Sequence, residues 1–385
     1  MIPSPEALRS HYTSFLNSDR ILLTGHSHQA WPDVARDAIL KAFSDAAAHV
    51  DDKWALASEQ ADVVRDAVAA YLGAERDEIA LGQSSHELVS RFLSGLDFRR
   101  RPHIVTTTGE FHSMRRQLMR LGEEGIEVTW VPVEPAATLS QRIADSVRDD
   151  TAAVMMSTVL FQTSRVVEGV SVAIEAAHRR GAEVLLDAYH AFGVLPQGLS
   201  DWGSAPVFVT GGGYKYAQWG EGVCWLRVPT GCALRPCYTG WFSDFAGLDG
   251  EQQAVHYGPT PASRFAGSTY DPVSHYRAAA VIEFFRENNM TAEHLRARSL
   301  QQTQRIIDSF EGLQLLTPQS PELRAGFVAY RAPDAIGLVQ ALQGFGVMTD
   351  SRGDIIRFGP APYTTDEELD RAADAVKRSI RSLGG

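Results

Sequence analysis

Cysteine is scarce in this sequence. Cys224, Cys232 and Cys237 are the only three among 385 residues, and neither CxxC nor Cys/His ligand spacing joins them. An odd count without such spacing argues against a disulfide framework and against zinc, so no metal is expected. Clustered positive charge is also lacking. The formal net charge is −11, and the one dense basic run, Arg99-Arg100-Arg101, stands beside Pro102, where a solvated turn is expected. Nucleic-acid binding draws on clustered Lys and Arg, which disfavours a nucleic-acid partner. The apolar runs are too short to cross a bilayer, and the opening MIPSPEALRSHYTSF lacks the charged start and apolar stretch of a signal peptide. No GxGxxG follows a strand pattern, which disfavours a nicotinamide enzyme. The expectation is a cytoplasmic enzyme with a small-molecule substrate and no membrane partner.

What is present is an ordinary globular balance, 44% hydrophobic and 22% charged, in a chain too long for one compact core. The middle alternates short β-rich runs with helical patterns. Strands are predicted at residues 78–81, 103–107, 127–131, 152–157, 184–187 and 207–210, and helices at 62–72, 87–96, 113–122 and 172–180. Alternation at this spacing predicts a mainly parallel sheet wrapped by helices. After Pro259 the grain changes. Helices at 273–287 and 292–312, short strands near 327–330 and 355–358, and a final helix at 366–379 capped by Thr364, Thr365 or Asp366 predict a smaller α+β unit.

Three local signals carry chemistry. In EIALGQSSHELV (78–89) a strand gives way to a helix at Ser84 and Ser85. Free N–H groups and hydroxyls there suit a phosphate, although serine at such a position is commonly a plain N-cap. In VLLDAYHAFG (184–193) Asp187 ends an apolar strand, where open α/β sheets bind ligands. It reads equally as the partner of a protonated pyridine nitrogen or as a helix cap, and His190 alone reads as a packing histidine. In FVTGGGYKYAQWGEGVCWLRV (208–228) three glycines give the backbone freedom to turn, and Lys215 stands between Tyr214 and Tyr216. A lysine in a glycine-rich loop is usually solvated; its position one βα unit after a strand-end aspartate weighs against that.

Phosphate loop, aspartate and lysine in this order resemble a fold-type-I enzyme dependent on pyridoxal 5′-phosphate (PLP), and within that fold the class V aminotransferase superfamily. The chain resembles the kynureninase family through LLTGHSHQAWP (22–32), GEFHS (109–113), DAYH (187–190), GYKY (213–216), TGWFSD (239–244), RFAGSTYDP (264–272) and IRFGPAPYTT (356–365). The resemblance implies a large domain with a mainly parallel, seven-stranded sheet plus a smaller α+β domain. It divides the chain into an N-terminal segment (1–45) packing with the small domain, a PLP-binding domain (46–265) and the small domain (266–385). It implies that Lys215 carries the cofactor as a Schiff base and moves protons, with Tyr214 as a shuttle. It places Asp187 on the pyridine nitrogen, Phe111 on the ring, and Ser84 or Ser85, Tyr214 and Trp241 at the phosphate. His190 and Thr269 complete the cofactor contacts, while Ser27, Thr269 and Arg357 meet the substrate. Arg357 suits its α-carboxylate because a guanidinium binds carboxylates in a bidentate fork.

The implied activity is hydrolytic Cβ–Cγ cleavage of kynurenine or a related aryl-keto amino acid, in a homodimer. The alternatives are a β-lyase or aminotransferase of the same superfamily, and an inert PLP-fold binding protein. A cysteine desulfurase is disfavoured because no cysteine follows Cys237. The departures from the family cluster around the substrate. His26, His28 and Gln29 stand where the family has Asn, Leu and Gly. Its Phe-Pro-x-Asp segment reads Phe111-His112-Ser113-Met114 here, and Thr269 lies near a family Asn.

Overall fold

The computed structural model describes residues 2–248 and 254–383; the remaining positions of the three expected domain spans lie outside the described residues. Seven strands form the larger sheet: β1 (Ile79–Gly82), β2 (His103–Thr107), β3 (Glu127–Val131), β4 (Thr151–Ser157), β5 (Glu183–Asp187), β6 (Phe208–Gly212) and β7 (Cys224–Arg227). Their spatial order is β1-β7-β6-β5-β4-β2-β3. β3 to β6 and β2 run parallel, and β7 is antiparallel to both its neighbours. The expected mainly parallel sheet is therefore present, with one reversed strand.

Burial on both faces explains the apolar strands. β2 and β4 are buried along their whole length. On one face Val154, Leu186 and Val209 pack with Phe192 and Trp225, and on the other Ile104, Met155, Leu185 and Phe208 pack with Phe92. Strand and helix ends fall within three residues of the sequence reading in most elements, but the helix read at 62–72 begins at Lys53 and several elements went unread, among them helices Val34–His49, Leu139–Asp145 and Ala335–Gly344 and strands β7 and Asp350–Arg352. Helix Val34–His49 has an alanine-rich buried face, Ala35, Ala38 and Ala42, which gives little apolar contrast. Strand β7 follows a loop dense in glycine, and its burial is tertiary.

A second, antiparallel sheet holds strands Gln314–Leu315, Val328–Arg331, Asp350–Arg352 and Ile355–Phe358. Helices Ala292–Ser309, Ala335–Gly344 and Asp366–Leu383 accompany it, and Ile306, Leu338, Leu369 and Val376 join Val328, Ile356 and Phe358 in its core. Thr365 caps the last helix reciprocally with Glu368: the Glu368 N–H donates to its hydroxyl and its own N–H donates to the Glu368 carboxylate. Asp366 is the first helical residue rather than the cap. In the N-terminal segment Ile21–Leu22 pairs parallel with Val347–Met348, and Ile21 and Leu23 join the core of the smaller sheet.

Two details correct the sequence reading. The three glycines before Tyr214 do not adopt left-handed backbone. They are required for space: a Cβ on Gly212 would strike the Cys224 sulfur at 2.5 Å as well as the Tyr189 hydroxyl. Within the basic run Arg99 and Arg100 are exposed in a turn as expected, while Arg101 is half-buried and its guanidinium donates to the carbonyls of Arg180 and Gly181.

Candidate active site

The parallel strands deliver their carboxyl ends to one region. β5 ends at Asp187, β6 runs out toward Tyr214 and Lys215, β4 ends at Ser157, and β2 leads through Thr107 to Glu110 and Phe111. Lys215 is buried, 4% exposed. Its Nζ lies 2.7 Å from His190 Nε2, and 4.8, 5.4 and 5.7 Å from the ring centres of Tyr189, Phe111 and Tyr214. Loss of water lowers the Lys215 amine to about 7, against the opposing pull of Asp187. The same burial pushes His190 well below its ordinary value and raises Asp187. Asp187 accepts the Tyr189 N–H at 2.8 Å, so it also serves as the turn cap that the sequence allowed. The Tyr214 hydroxyl is raised to about 12 by burial and by nearby Cys224 and Asp187, so it keeps its proton at neutral pH.

Arg357 is buried at 2% exposure and held on three sides. Nε and Nη2 donate to the two oxygens of Asp350 at 2.9 and 2.5 Å, and Nη1 donates to the Phe161 carbonyl at 2.9 Å. Of its five N–H groups two remain for a ligand. His26 Nε2 lies 2.8 Å from the same Asp350. Burial drives His26 down to about 4, so it is neutral and donates that proton.

The remaining expected residues are placed less uniformly. Phe111 ends the loop before helix His112–Glu123, edge-on to Phe161. Ser84 is the N-cap of helix Ser85–Ser94, and its hydroxyl accepts the Glu87 N–H at 3.2 Å. Glu87 in turn takes the Gln83 N–H at 3.0 Å, so the plain capping reading describes Ser84 in this chain. Ser85 reaches the Lys215 neighbourhood through its backbone, which faces the Cys224 sulfur, itself 3.6 Å from the Tyr189 hydroxyl. The Ser27 hydroxyl donates to the Thr24 carbonyl at 3.0 Å, and its neighbour His26 is the residue joined to Arg357 through Asp350. Trp241 and Thr269 are not brought to Lys215 within one chain. They line a cavity of about 700 Å³ together with Gly82, Gln83 and Tyr270, and none of Lys215, Asp187 or His190 borders it.

Sequence reasoning missed Glu110 and Asp350. Glu110 is buried, accepting the hydroxyls of Thr107 at 2.5 Å and Ser157 at 2.6 Å. Burial raises its carboxyl to about 7. The available signal was its position beside Phe111. For Asp350 the signal was hairpin register: a strand–turn–strand reading of DSRGDIIRF sets Asp350 opposite Arg357.

Comparison with known proteins bears on the fold that carries these residues. The kynureninase C-terminal domain family model matches residues 295–376. An uncharacterized aminotransferase, YcbU, of Bacillus subtilis is 25% identical over 87% of this chain and 88% of its own. Isopenicillin N epimerase of Streptomyces clavuligerus is 27% identical (81% and 82%), and kynureninase of Geobacillus thermodenitrificans 26% (82% and 76%). Among solved structures, a C-DES mutant with glycine covalently linked to its PLP cofactor superposes with a TM-score of 0.84 at 19% identity, covering 96% of this chain and 98% of that one. An apo cysteine desulfurase from Thermococcus onnurineus gives 0.82 at 18% identity, covering both chains completely. The fold is that of the fold-type-I PLP-dependent enzymes, as the resemblance implied.

Proposed function

We propose that this chain is a PLP-dependent enzyme acting on an amino acid, and that its reaction is a kynureninase-like hydrolysis. The observation that carries the reading is Lys215. An amine enclosed by three aromatic rings, lowered to about 7 and facing a strand-end carboxylate, is a nucleophile rather than a solvated charge. The residues fit PLP: an amine for its aldehyde, Asp187 for its ring nitrogen, Phe111 for its ring face, and backbone N–H groups at the start of helix Ser85–Ser94 for its phosphate. When bound, PLP supplies an electron sink for charge developing at the substrate Cα.

The chain's own residues do the rest. Arg357 orients the α-carboxylate with its two uncommitted N–H groups, and Lys215, lowered to about 7 and so able to exchange its proton near neutral pH, takes and returns protons at Cα. Tyr214, which keeps its proton, donates at the side-chain carbonyl. The overall balance consumes one water: the Cβ–Cγ bond breaks, the acyl carbon leaves as an acid, and Cβ takes up a proton to give alanine. The test is to incubate the purified protein with kynurenine and 3-hydroxykynurenine and follow anthranilate fluorescence. No turnover with PLP bound would remove this substrate assignment.

A second reading, a β-lyase or aminotransferase on another amino acid, draws on the buried His26–Asp350 contact. It occupies the segment where the kynureninase family carries Asn. The first solved structures above include C-DES, which a further solved complex names a cystine C–S lyase. A keto-acid acceptor assay and a pyruvate assay separate the two outcomes. A homodimer is part of the proposal, because Trp241 and Phe245, 43% and 61% exposed, lie together on the surface and would give a second copy's site the contacts that Lys215 lacks in one chain. No helix among the described residues is long and apolar enough to cross a membrane.

A further inference from the structure

Arg357 is not the only guanidinium on Asp350. Strand Asp350–Arg352 pairs antiparallel with Ile355–Phe358, placing Asp350 opposite Arg357 and Arg352 opposite Ile355. Alternate residues of a strand share a face, and so do directly opposed residues. Asp350, Arg352 and Arg357 therefore project from one face of the small sheet. The two guanidinia meet at a single atom: Nη2 of Arg357 lies 2.5 Å, and Nη2 of Arg352 3.4 Å, from Oδ2 of Asp350.

The charges on this face do not contribute equally. Arg357 and Asp350 cancel, and His26 is neutral. Arg352 is left as the uncancelled charge. It is 40% exposed, and its charge reaches the Tyr214 hydroxyl. A carboxylate approaching Arg357 alone would meet a neutral ion pair whose acidic member repels it. With Arg352 present, the same carboxylate meets one net positive charge and donors from two guanidinia.

We infer that Arg352 is a second carboxylate-binding residue of the site, with Arg357 supplying the fixed geometry and Arg352 the net charge that draws in a substrate amino acid. Asp350 is a positioning residue that holds the two cations side by side. This rests on the reading of the protein as a PLP enzyme of amino acids. The competing structural role for Arg352 is to brace its hairpin, through the 2.7 Å bond from Nη1 to the Ser351 carbonyl.

The test uses the protein carrying its cofactor and titration calorimetry with two probes, L-alanine and ethylamine, which lacks the carboxylate. Arg352→Gln should weaken L-alanine roughly tenfold or more and leave ethylamine unchanged, because a hydrogen bond to a charged group is lost. Arg352→Lys should recover most of the loss, since it restores charge. Added NaCl should weaken L-alanine more in the wild type than in Arg352→Gln. Unchanged L-alanine affinity in Arg352→Gln, equal losses for both probes, or no L-alanine binding in the wild type would overturn the inference alone. A preparation that takes up PLP with no visible absorption band would overturn the parent reading and this inference with it.

Discussion

Lys215 Nζ lies 2.7 Å from Nε2 and 3.3 Å from Nδ1 of His190, with both side chains buried. Two protonated groups could not share that space. Desolvation resolves it by lowering Lys215 to about 7 and His190 well below its ordinary value, so near neutral pH the contact joins a neutral imidazole to an amine close to its own midpoint. The sign for reactivity follows. Below pH 7 the amine is increasingly protonated and inert toward an aldehyde; above it the free amine dominates. The rate at which apo-protein captures PLP should rise roughly tenfold per pH unit up to about pH 7 and then level off. Stopped-flow absorbance between pH 5.5 and 10 measures it. A rate still climbing at pH 10 would mean an ordinary lysine.

Asp187 faces the opposite requirement. Burial raises its carboxyl, and the positive charge of Lys215 pulls it back. A cationic ring nitrogen would supply the stronger counter-charge. Asp187→Asn keeps the shape and can still accept the Tyr189 N–H, but it loses that charge. It should retain cofactor and lose roughly 10²–10⁴-fold in kcat. Lys215→Ala, by contrast, should abolish the visible band of the bound cofactor. Retention of full activity in Asp187→Asn would remove the aspartate from the chemistry.

The sheet was legible because its strands are short, apolar and buried on both faces, so the signal in β2, β4 and β5 is local. Lys215 and Asp187 were legible because Asp187 ends one strand and Lys215 lies just past the end of the next. The reach of Arg357 toward the site came only from resemblance; nothing in IRFGP marks its arginine as buried. Glu110 and Asp350 were illegible for a related reason. A buried carboxylate looks like a surface one until the strands from distant parts of the chain converge on it. Ser157, which donates to Glu110, lies 47 residues away. His26, which contacts Asp350, lies 324 residues away.

The Asp350–Arg357 contact also bears on stability. Burial works to raise the Asp350 carboxyl, but the bonds from His26 and Arg357 and the charge of Arg357 outweigh it and hold it far below the usual carboxylate range. A carboxyl depressed by folding adds stability that is complete above its unfolded pKa and lost as pH falls. Asp350→Ala should therefore cost about 3–5 kcal/mol at neutral pH, because it strands the Arg357 charge, and the deficit should shrink on acidification. The double variant Asp350→Leu with Arg357→Met should regain most of the stability while losing carboxylate binding. Urea unfolding at pH 7 and pH 3.5 measures both. Equal melting of the wild type and Asp350→Ala would show that the pair contributes nothing.

Glu110 shows the reverse sign. Its carboxyl is raised by burial from an ordinary 4.5 to about 7, against the hydroxyls of Ser157 and Thr107, which favour the charged form. Between these two values the folded protein binds a proton that the unfolded chain releases, so stability must fall as pH rises from 4.5 to 7. For a fully buried group this slope accumulates to about 3 kcal/mol. Glu110→Gln removes the titration but keeps the shape, and its amide oxygen can still accept one of the two hydroxyls. The variant should match or fall below the wild type at pH 4.5 and overtake it, relative to that starting difference, by pH 7.5. Because Glu110 adjoins Phe111, its ionisation above pH 7 also adds negative charge near Asp187, which should favour a protonated ring nitrogen and red-shift the cofactor band in the wild type only. Parallel stability curves for the two proteins across pH 4.5–7.5 would show that Glu110 titrates as an ordinary carboxylate.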